Sequence, residues 1–402
     1  PVRRCWISCK MRAVEEGVQI NGDHFLLGRM IKHPLRTWKS FNWDNIFVDQ
    51  RRNLLCSWIV TAFEHLGIDL DPGWHLETVS GDASFRRYFR VHSHNLSWIA
   101  VDAPPDKENS RSFVNIARAW EPLDIHVPVV HLADLEEGFM LLSDLGNLLY
   151  LQHLDADNAD LLYAQAIQTL THIQQCRTVL GDPLPDYDRA MLRREMALFR
   201  EWFIGQQLGL ILTSYEQELL NTVFESLINS ALSQPRVCVH RDYHSRNLML
   251  IEGSAPGVID FQDAVMGPIT YDLVSLLRDC YIAWPESRVK GWALQYASLA
   301  QQTGLMEPVS SERFLGWFER MGMQRHLKAI GIFARLNIRD AKPAYLQDIP
   351  RTLNYLCQAG RHLPEYNKFE GWLAERVIPA MAATQLFDMS QLRLSGTETG
   401  AP

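Results

Sequence analysis

The chain has 402 residues, 47% of them hydrophobic, which is ample for a sizeable core and suggests two lobes. A net charge of −8 and a pI near 6.0 argue against a general nucleic-acid binder, so any phosphate-binding cleft has to be locally positive on an acidic protein. No apolar run approaches the ~18–20 residues needed to span a bilayer, no secretory signal segment is evident, and the scattered cysteines Cys5, Cys9, Cys56, Cys176, Cys238, Cys280 and Cys357 fit a reducing cytosol without disulfide or zinc spacing.

Residues 1–45 are basic, with Arg3, Arg4, Lys10, Arg12, Arg29, Lys32, Arg36 and Lys39, and show no sustained period. They are expected to be a poorly ordered extension, or sequence upstream of the natural start. From Asp49 to Leu66, apolar residues Leu54, Leu55, Trp58, Ile59, Ala62, Phe63 and Leu66 recur at three- and four-residue steps, an amphipathic helix that Gly67 stops. Leu76 to Val91 alternates on both sides of Gly81-Asp82-Ala83-Ser84, which predicts two antiparallel strands and a short loop. Arg86 and Arg87 follow that loop, and strand alternation sends one of them towards the opposite face from the other. Leu96–Asp102 reads as a third strand, followed by a helix over Ser112–Leu123 and a strand over Val127–Ala133. Phe139 to Ser143 is a buried strand ending in a turn, and the domain boundary belongs near Gly146-Asn147. Residues 150–232 are helical by period, as in Leu161, Leu162, Ala166, Ile167, Leu170 and Ile173.

The chemistry concentrates in Val239-His240-Arg241-Asp242-Tyr243-His244-Ser245-Arg246-Asn247-Leu248, followed by Val258-Ile259-Asp260-Phe261. Asp242, Asn247 and Asp260 fall five and then thirteen residues apart. Apolar runs flank Glu252-Gly253-Ser254-Ala255-Pro256, which reads as a hairpin turn and folds Asp260 back beside Asn247. One carboxylate and one amide oxygen then meet at a hard-cation site, while Asp242 stays free to orient a hydroxyl. Phosphoryl transfer calls for those groups, because its loose transition state leaves the protein with positioning and charge neutralisation. Magnesium prefers such oxygen donors.

Downstream, Leu273–Tyr281 reads as a helix capped by Asp272. Glu286 to about Met381 is helical and rich in aromatics, and residues after Ala382 are expected to form a disordered tail. Within this stretch Arg335 and Arg339 share one helix face. They are either a solvated face with ion pairs or part of an acceptor pocket that grips an anionic or hydroxyl-rich substrate.

His-x-Asp-x-x-x-x-Asn with a following Ile-Asp-Phe is shared by protein kinases and by the aminoglycoside phosphotransferase/choline kinase family. Protein kinases carry a Lys two residues after the catalytic Asp, where this chain has His244, and they follow the metal Asp with a long activation loop. Here the chain runs instead into Met266-Gly267-Pro268-Ile269-Thr270-Tyr271-Asp272-Leu273, which resembles the Gly-Asp-Pro-x-x-Asp-Leu segment of the aminoglycoside phosphotransferase family. That resemblance implies an α+β, two-lobed protein-kinase-like fold. A small β-rich N-lobe would span 46–146, a larger mainly helical C-lobe 147–382, and a tail 383–402. It implies ATP and Mg2+ as cofactors, Asp242 as catalytic residue, and Asn247 and Asp260 as metal ligands. Gly81, Asp82, Ala83, Ser84, Phe85 and Arg86 would lie over the nucleotide phosphates, with Leu142, Ser143 and Asp144 as the hinge. His244, Arg246, Asp263, Arg335 and Arg339 are the acceptor-side candidates.

One departure stands out. The third strand lacks the Lys that normally pairs with the nucleotide phosphates, so Lys107 or a hairpin arginine has to supply the charge, or the site is impaired. The strings Gly-Asp-Ala-Ser-Phe-Arg-Arg-Tyr-Phe-Arg, Asp-Ala-Pro-Pro, Ile-Asp-Phe-Gln-Asp-Ala and Arg-Asp-x-Lys-Pro resemble one branch over about residues 50 to 380. That branch comprises the anomeric kinases for N-acetylmuramate and N-acetylglucosamine, used by Gram-negative bacteria to recycle cell-wall sugars. It implies a cytoplasmic, monomeric sugar 1-kinase acting on a small-molecule substrate, with neither nucleic acid nor membrane as partner. Another small-molecule kinase and a non-catalytic nucleotide-binding scaffold remain open alternatives.

Overall fold

A computed structural model describes residues 44–81, 85–180 and 182–392. The expected extension over 1–45 therefore lies outside the described residues except for its last two positions, as do Asp82, Ala83, Ser84 and the chain from 393 on. The chain divides into two compact units at Asn53/Leu54. The described part of the first is residues 44–53, the opening turns of helix α1 (Asp44–Leu66). Everything below concerns the second.

Its first layer is a five-stranded antiparallel sheet of β1 (His75–Gly81), β2 (Arg87–Ser93), β3 (Leu96–Asp102), β4 (Val130–Asp134) and β5 (Phe139–Ser143), in the order β1-β2-β3-β5-β4. Side chains alternate across it as the pleat requires. Phe89, Val91, Trp98, Ala100, Phe139 and Leu141 pack on Leu55, Ile59 and Phe63 of α1. The residues between them, including Val101, Met140 and Leu142, join the main core with Phe113, Ala117 and Trp120 of α2 (Ser110–Trp120). Arg87 is opposite Asp102 in the β2–β3 register and is ion-paired with it. Both therefore belong to the α1 face, which leaves Arg86, Tyr88 and Arg90 for the other.

The second layer is helical. It holds α3 (Tyr150–His153), α4 (Ala159–Gln175), α5 (Arg189–Leu198), α6 (Ser214–Leu232), α7 (Tyr271–Leu277), α8 (Glu286–Gln302), α9 (Ser311–Asp340) and α10 (Ile349–His362). The expected helical run over 150–232 is broken by a small hairpin (Thr178–Val179 with Asp182–Pro183) and by a π-helix, Phe199–Gln207. Helix α9 is the longest of these, at 30 residues, and therefore about 45 Å long. It crosses the π-helix closely at Gly331, where an added Cβ would sit 2.4 Å from the Leu198 carbonyl carbon. Only glycine fits there.

Two short strands absent from the sequence reading, Arg236–Val239 and Val265–Pro268, pair antiparallel and frame the region of the Asp242, Asn247 and Asp260 motif. The expected hairpin is present as Leu248–Met249 paired with Gly257–Val258. After Ala382, where a tail was expected, the chain packs back through buried Phe387 against Phe203, with ring centroids 6.3 Å apart. Among the described residues no helix is long and apolar enough to cross a membrane.

Candidate active site

The segment 240–247 is a loop between strand Arg236–Val239 and strand Leu248–Met249, and two buried carboxylates fix its shape. Asp272 accepts the backbone N–H groups of His240 (2.6 Å) and Arg241 (3.0 Å). It therefore bonds this loop and does not cap its own helix, whose N-cap is Thr270. Arg241 takes φ 80°, a left-handed conformation that costs a side-chain-bearing residue about 1 kcal/mol and that these two bonds help to hold. At the other end, Asp279 accepts from Ser245 N (3.0 Å), Ser245 Oγ (2.5 Å) and Tyr281 N (3.0 Å). The neutral ring of His240 ties the loop to the facing strand end. Its Nε2 is 3.0 Å from the Ile259 carbonyl, to which it donates, and its Nδ1 accepts from Asp242 N at 3.3 Å. Burial pushes the His240 pKa down to about 4, in keeping with that tautomer.

The hairpin brings Asn247 and Asp260 together, as the spacing implies. Asn247 Nδ2 donates to the Asp242 carbonyl (3.0 Å) and to Asp260 Oδ2 (3.3 Å), and Gln262 Nε2 donates to Asp260 Oδ1 (2.6 Å). Asp260 takes φ 66°, an uncommon conformation for a side-chain-bearing residue. With its amide nitrogen committed to Asp242 and Asp260, Asn247 keeps its Oδ1 as an acceptor, and the Asp260 carboxylate keeps further lone pairs. This all-oxygen donor set suits a hard divalent cation.

Beside Asp242 is a charged network drawn from two helices and the loop itself, with Tyr271 of α7 bonded to it. Glu195 of α5 accepts from Arg241 (2.6 Å) and from the Tyr187 hydroxyl, and lies 3.6 Å from Lys328 Nζ of α9. Lys328 in turn donates to the Tyr271 hydroxyl at 2.9 Å. Burial alone would raise the Asp242 carboxyl. The charge of Lys328, then those of His244, Arg325 and Arg241, outweigh it and hold Asp242 far below the usual carboxylate range. Burial lowers the His244 pKa as well, so at neutral pH the lasting cations are Lys328, Arg325 and Arg241.

Two cavities meet at this loop. One, of about 350 Å³, is lined by Tyr88, Arg90, Ile99, Leu142, Ser143 and Asp144 of the sheet and by Arg246, Asn247 and Asp260. The other, of about 760 Å³, is lined by Arg86, Glu108, Arg241, Asp242, Asp260, Asp263, Arg335 and Arg339. Tyr88 and Asp260 belong to both walls. A group bound in one cavity can thus reach the other past Asp260.

Most of the sequence-predicted residues converge here. Asp242, Asp263, Arg335 and Arg339 share the larger cavity, and Leu142, Ser143, Asp144, Asn247 and Asp260 the smaller. Arg246, expected on the acceptor side, lines the smaller cavity instead and lays its guanidinium over the Tyr281 ring at 4.4 Å. His244 lines neither; it turns its ring edge-on to Tyr281. Asp144 accepts from Arg90 (2.5 Å), Ser97 (2.7 Å) and Gly146 N (2.9 Å), so its side chain holds the turn after β5. Gly81 ends β1, Phe85 is exposed, and Asp82, Ala83 and Ser84 lie outside the described residues. Of the candidates for the missing strand lysine, Lys107 is exposed and pairs with Asp106 at 3.5 Å. Arg86 is buried in the larger cavity wall, 3.3 Å from Glu108, just before α2.

Sequence reasoning missed Asp272 as a loop clamp, along with Asp279, Glu195 and Lys328. A signal existed in the sequence: Asp272 stands in the largely apolar run Ile269–Leu277, and an Asp in such a run needs internal partners.

A family model described as "Phosphotransferase enzyme family" matches residues 75–307. The N-acetylmuramate/N-acetylglucosamine kinase of Pseudomonas putida is 47% identical over 304 residues, 76% of this chain and 89% of that protein. The kinases of the same name from Pseudomonas aeruginosa and Neisseria meningitidis are 44% and 40% identical, over 79% and 82% of this chain and 94% and 96% of their own lengths. Among solved structures, an ethanolamine kinase from Plasmodium vivax matches with a TM-score of 0.53 at 11% identity, over 79% of this chain and 89% of that one. Choline kinase from Streptococcus pneumoniae matches with a TM-score of 0.52 at 15% identity, over 77% and 99%. These two likenesses concern the fold, which is the two-lobed α+β kinase fold.

Proposed function

The chain belongs to the phosphotransferase enzyme family, and on that premise we propose that it transfers the γ-phosphoryl group of ATP to the anomeric C1 hydroxyl of N-acetylmuramate and N-acetylglucosamine, sugars of the bacterial cell wall. The observation that carries this reading is the meeting of two cavities at Asp260, with Asp242 on the wall of the larger. The close relatives, which bear this activity in their names, supply the substrates.

In this reading the adenine lies against Leu142, Ser143 and Asp144, and the phosphates run under Tyr88 towards Asp260. Asn247 and Asp260 would hold Mg2+, which would neutralise charge on the phosphates. Arg86, paired with Glu108, takes the place of the absent strand lysine. Asp242 accepts the hydrogen bond of the C1 hydroxyl and aims its oxygen at the phosphoryl group. An anomeric hydroxyl is more acidic than other sugar hydroxyls, so a carboxylate with a depressed pKa suffices. The nucleotide lobe then spans about residues 46–146 and the acceptor-binding lobe 147–382, in a monomeric cytoplasmic enzyme.

The test is ATP consumption at saturating Mg2+ with N-acetylmuramate, N-acetylglucosamine, glucose and kanamycin in parallel. Turnover is expected on the two acetylated amino sugars, and Asp242→Asn is expected to lower kcat by about 10²–10⁴-fold. Tight ATP binding with no turnover on either sugar overturns the reading.

A further inference from the structure

We propose that Arg335 anchors a carboxylate carried by the acceptor and so separates acidic from neutral sugars. The inference rests on the sugar-kinase reading and deepens it. Four cationic residues line the larger cavity among the described residues: Arg86, Arg241, Arg335 and Arg339. Three of them are already paired. Arg86 lies 3.3 Å from Glu108, Arg241 is 2.6 Å from Glu195, and Arg339 is 2.8 Å from Asp340. Arg335 makes no ion pair, and its Nε, shut off from solvent, has no hydrogen-bond partner among the described residues. Burial, and then the neighbouring charge of Arg339, pull its pKa down. Such a cation is held at a cost that a bound anion relieves. Its planar fork matches a carboxylate with two parallel hydrogen bonds.

The position fits the chemistry of the two sugars. Lys328, whose charge acts on Asp242, and Arg335 are seven residues apart on α9, two turns or about 10 Å along the axis. N-acetylmuramate carries its carboxylate on a lactyl ether at O3, two ring carbons from the C1 hydroxyl; N-acetylglucosamine has a free hydroxyl there. With C1 held at Asp242, a lactyl arm that extends along the larger cavity, whose wall Asp242 and Arg335 share, brings its carboxylate towards Arg335. The wall there carries Arg335 between Ile332 and Leu336, apolar neighbours for the lactyl methyl group.

Steady-state kinetics of wild type, Arg335→Met and Arg335→Lys on both sugars, at saturating ATP, provide the test. In Arg335→Met the KM for N-acetylmuramate should rise about 10–100-fold, the worth of a bidentate charge-assisted pair. Its kcat on N-acetylmuramate should stay within about twofold and its KM for N-acetylglucosamine should rise at least about fivefold less than that for N-acetylmuramate, while an unchanged urea midpoint reports that the variant is folded. Arg335→Lys should recover part of the loss. The methyl ester of N-acetylmuramate adds a measurement on wild-type protein alone, which should bind it as weakly as Arg335→Met binds the acid. Equal losses on both sugars, an unchanged preference, or a methyl ester that binds wild type as well as the acid does would each overturn the assignment. A wild-type protein inactive on both sugars overturns the sugar-kinase reading instead.

Discussion

Asp272 carries the argument about loop shape, and Asp272→Asn is the cleanest perturbation of it. The carboxylate is fully buried and gives one oxygen to each of two backbone donors, at 2.6 and 3.0 Å. An asparagine keeps the volume but has one oxygen to serve both N–H groups, and its amide nitrogen opposes the second. Loss of one bond to an ionised acceptor costs about 1.5–3 kcal/mol. Part of this is offset, because burial pushes the Asp272 carboxyl up to about 7 and a neutral amide is cheaper to bury than a carboxylate. The expected net loss is about 2 kcal/mol of unfolding free energy, read from urea denaturation with an unchanged slope.

The same variant should slow turnover more than it weakens nucleotide binding. The freed N–H belongs to the turn that presents Asp242, whereas Leu142 and Ser143 line the smaller cavity, whose wall does not include Asp272. A fall in kcat of about tenfold or more is expected, with the KM for ATP changed less than about threefold. A variant with wild-type stability and wild-type kcat refutes the claim that Asp272 shapes the loop. Lost stability with unchanged kcat confines the residue to the fold.

Two further expectations follow from the packing and the buried rings. Gly331→Ala puts a Cβ 2.4 Å from Leu198 C and 2.5 Å from Phe199 N, both backbone atoms, so it should destabilise the protein by about 1–3 kcal/mol despite alanine's better helix propensity; a raised melting temperature refutes the close crossing. Burial depresses the pKa of His240 to about 4 and of His326 to about 3, so the unfolded chain takes up protons before the fold does. Their contribution to stability is complete above pH 6.5 and is lost as pH falls through 6.5 towards 4 and 3, about 3 kcal/mol for His240 alone. His326→Gln should flatten part of that slope in urea midpoints between pH 7.5 and 5, and identical slopes in the two proteins refute it.

Asp242, Asn247 and Asp260 were legible because a single local hairpin relates them, and a short hairpin is encoded by its own turn and strand residues. Arg335 and Arg339 were legible as a pair for the same kind of reason, since i and i+4 share a face on any helix. Asp272 was misread because an Asp at a helix start looks like a cap. Its actual partners lie some thirty residues earlier and are brought close by two four-residue strands, Arg236–Val239 and Val265–Pro268, too short to announce themselves. Arg246 and His244 were assigned to the acceptor by nearness in sequence, yet successive residues of a tight loop point in different directions, and theirs point to Tyr281.

The network of Glu195, Lys328, Arg325 and Arg241 was illegible altogether, because its members come from α5, from α9 and from the 240–247 loop and meet only in the packed fold. It nevertheless sets the charge state of Asp242. By surrounding Asp242 with buried cations it keeps that carboxylate ionised and makes it a weak base. A weak base would be a poor choice if the acceptor had to be deprotonated before attack. In a loose phosphoryl transfer the nucleophile forms little bond at the transition state, so its proton can leave late and a well-aimed acceptor is enough. The buried cations therefore favour aim over basicity at Asp242, and an acceptor whose hydroxyl is already acidic is the one such a site serves best.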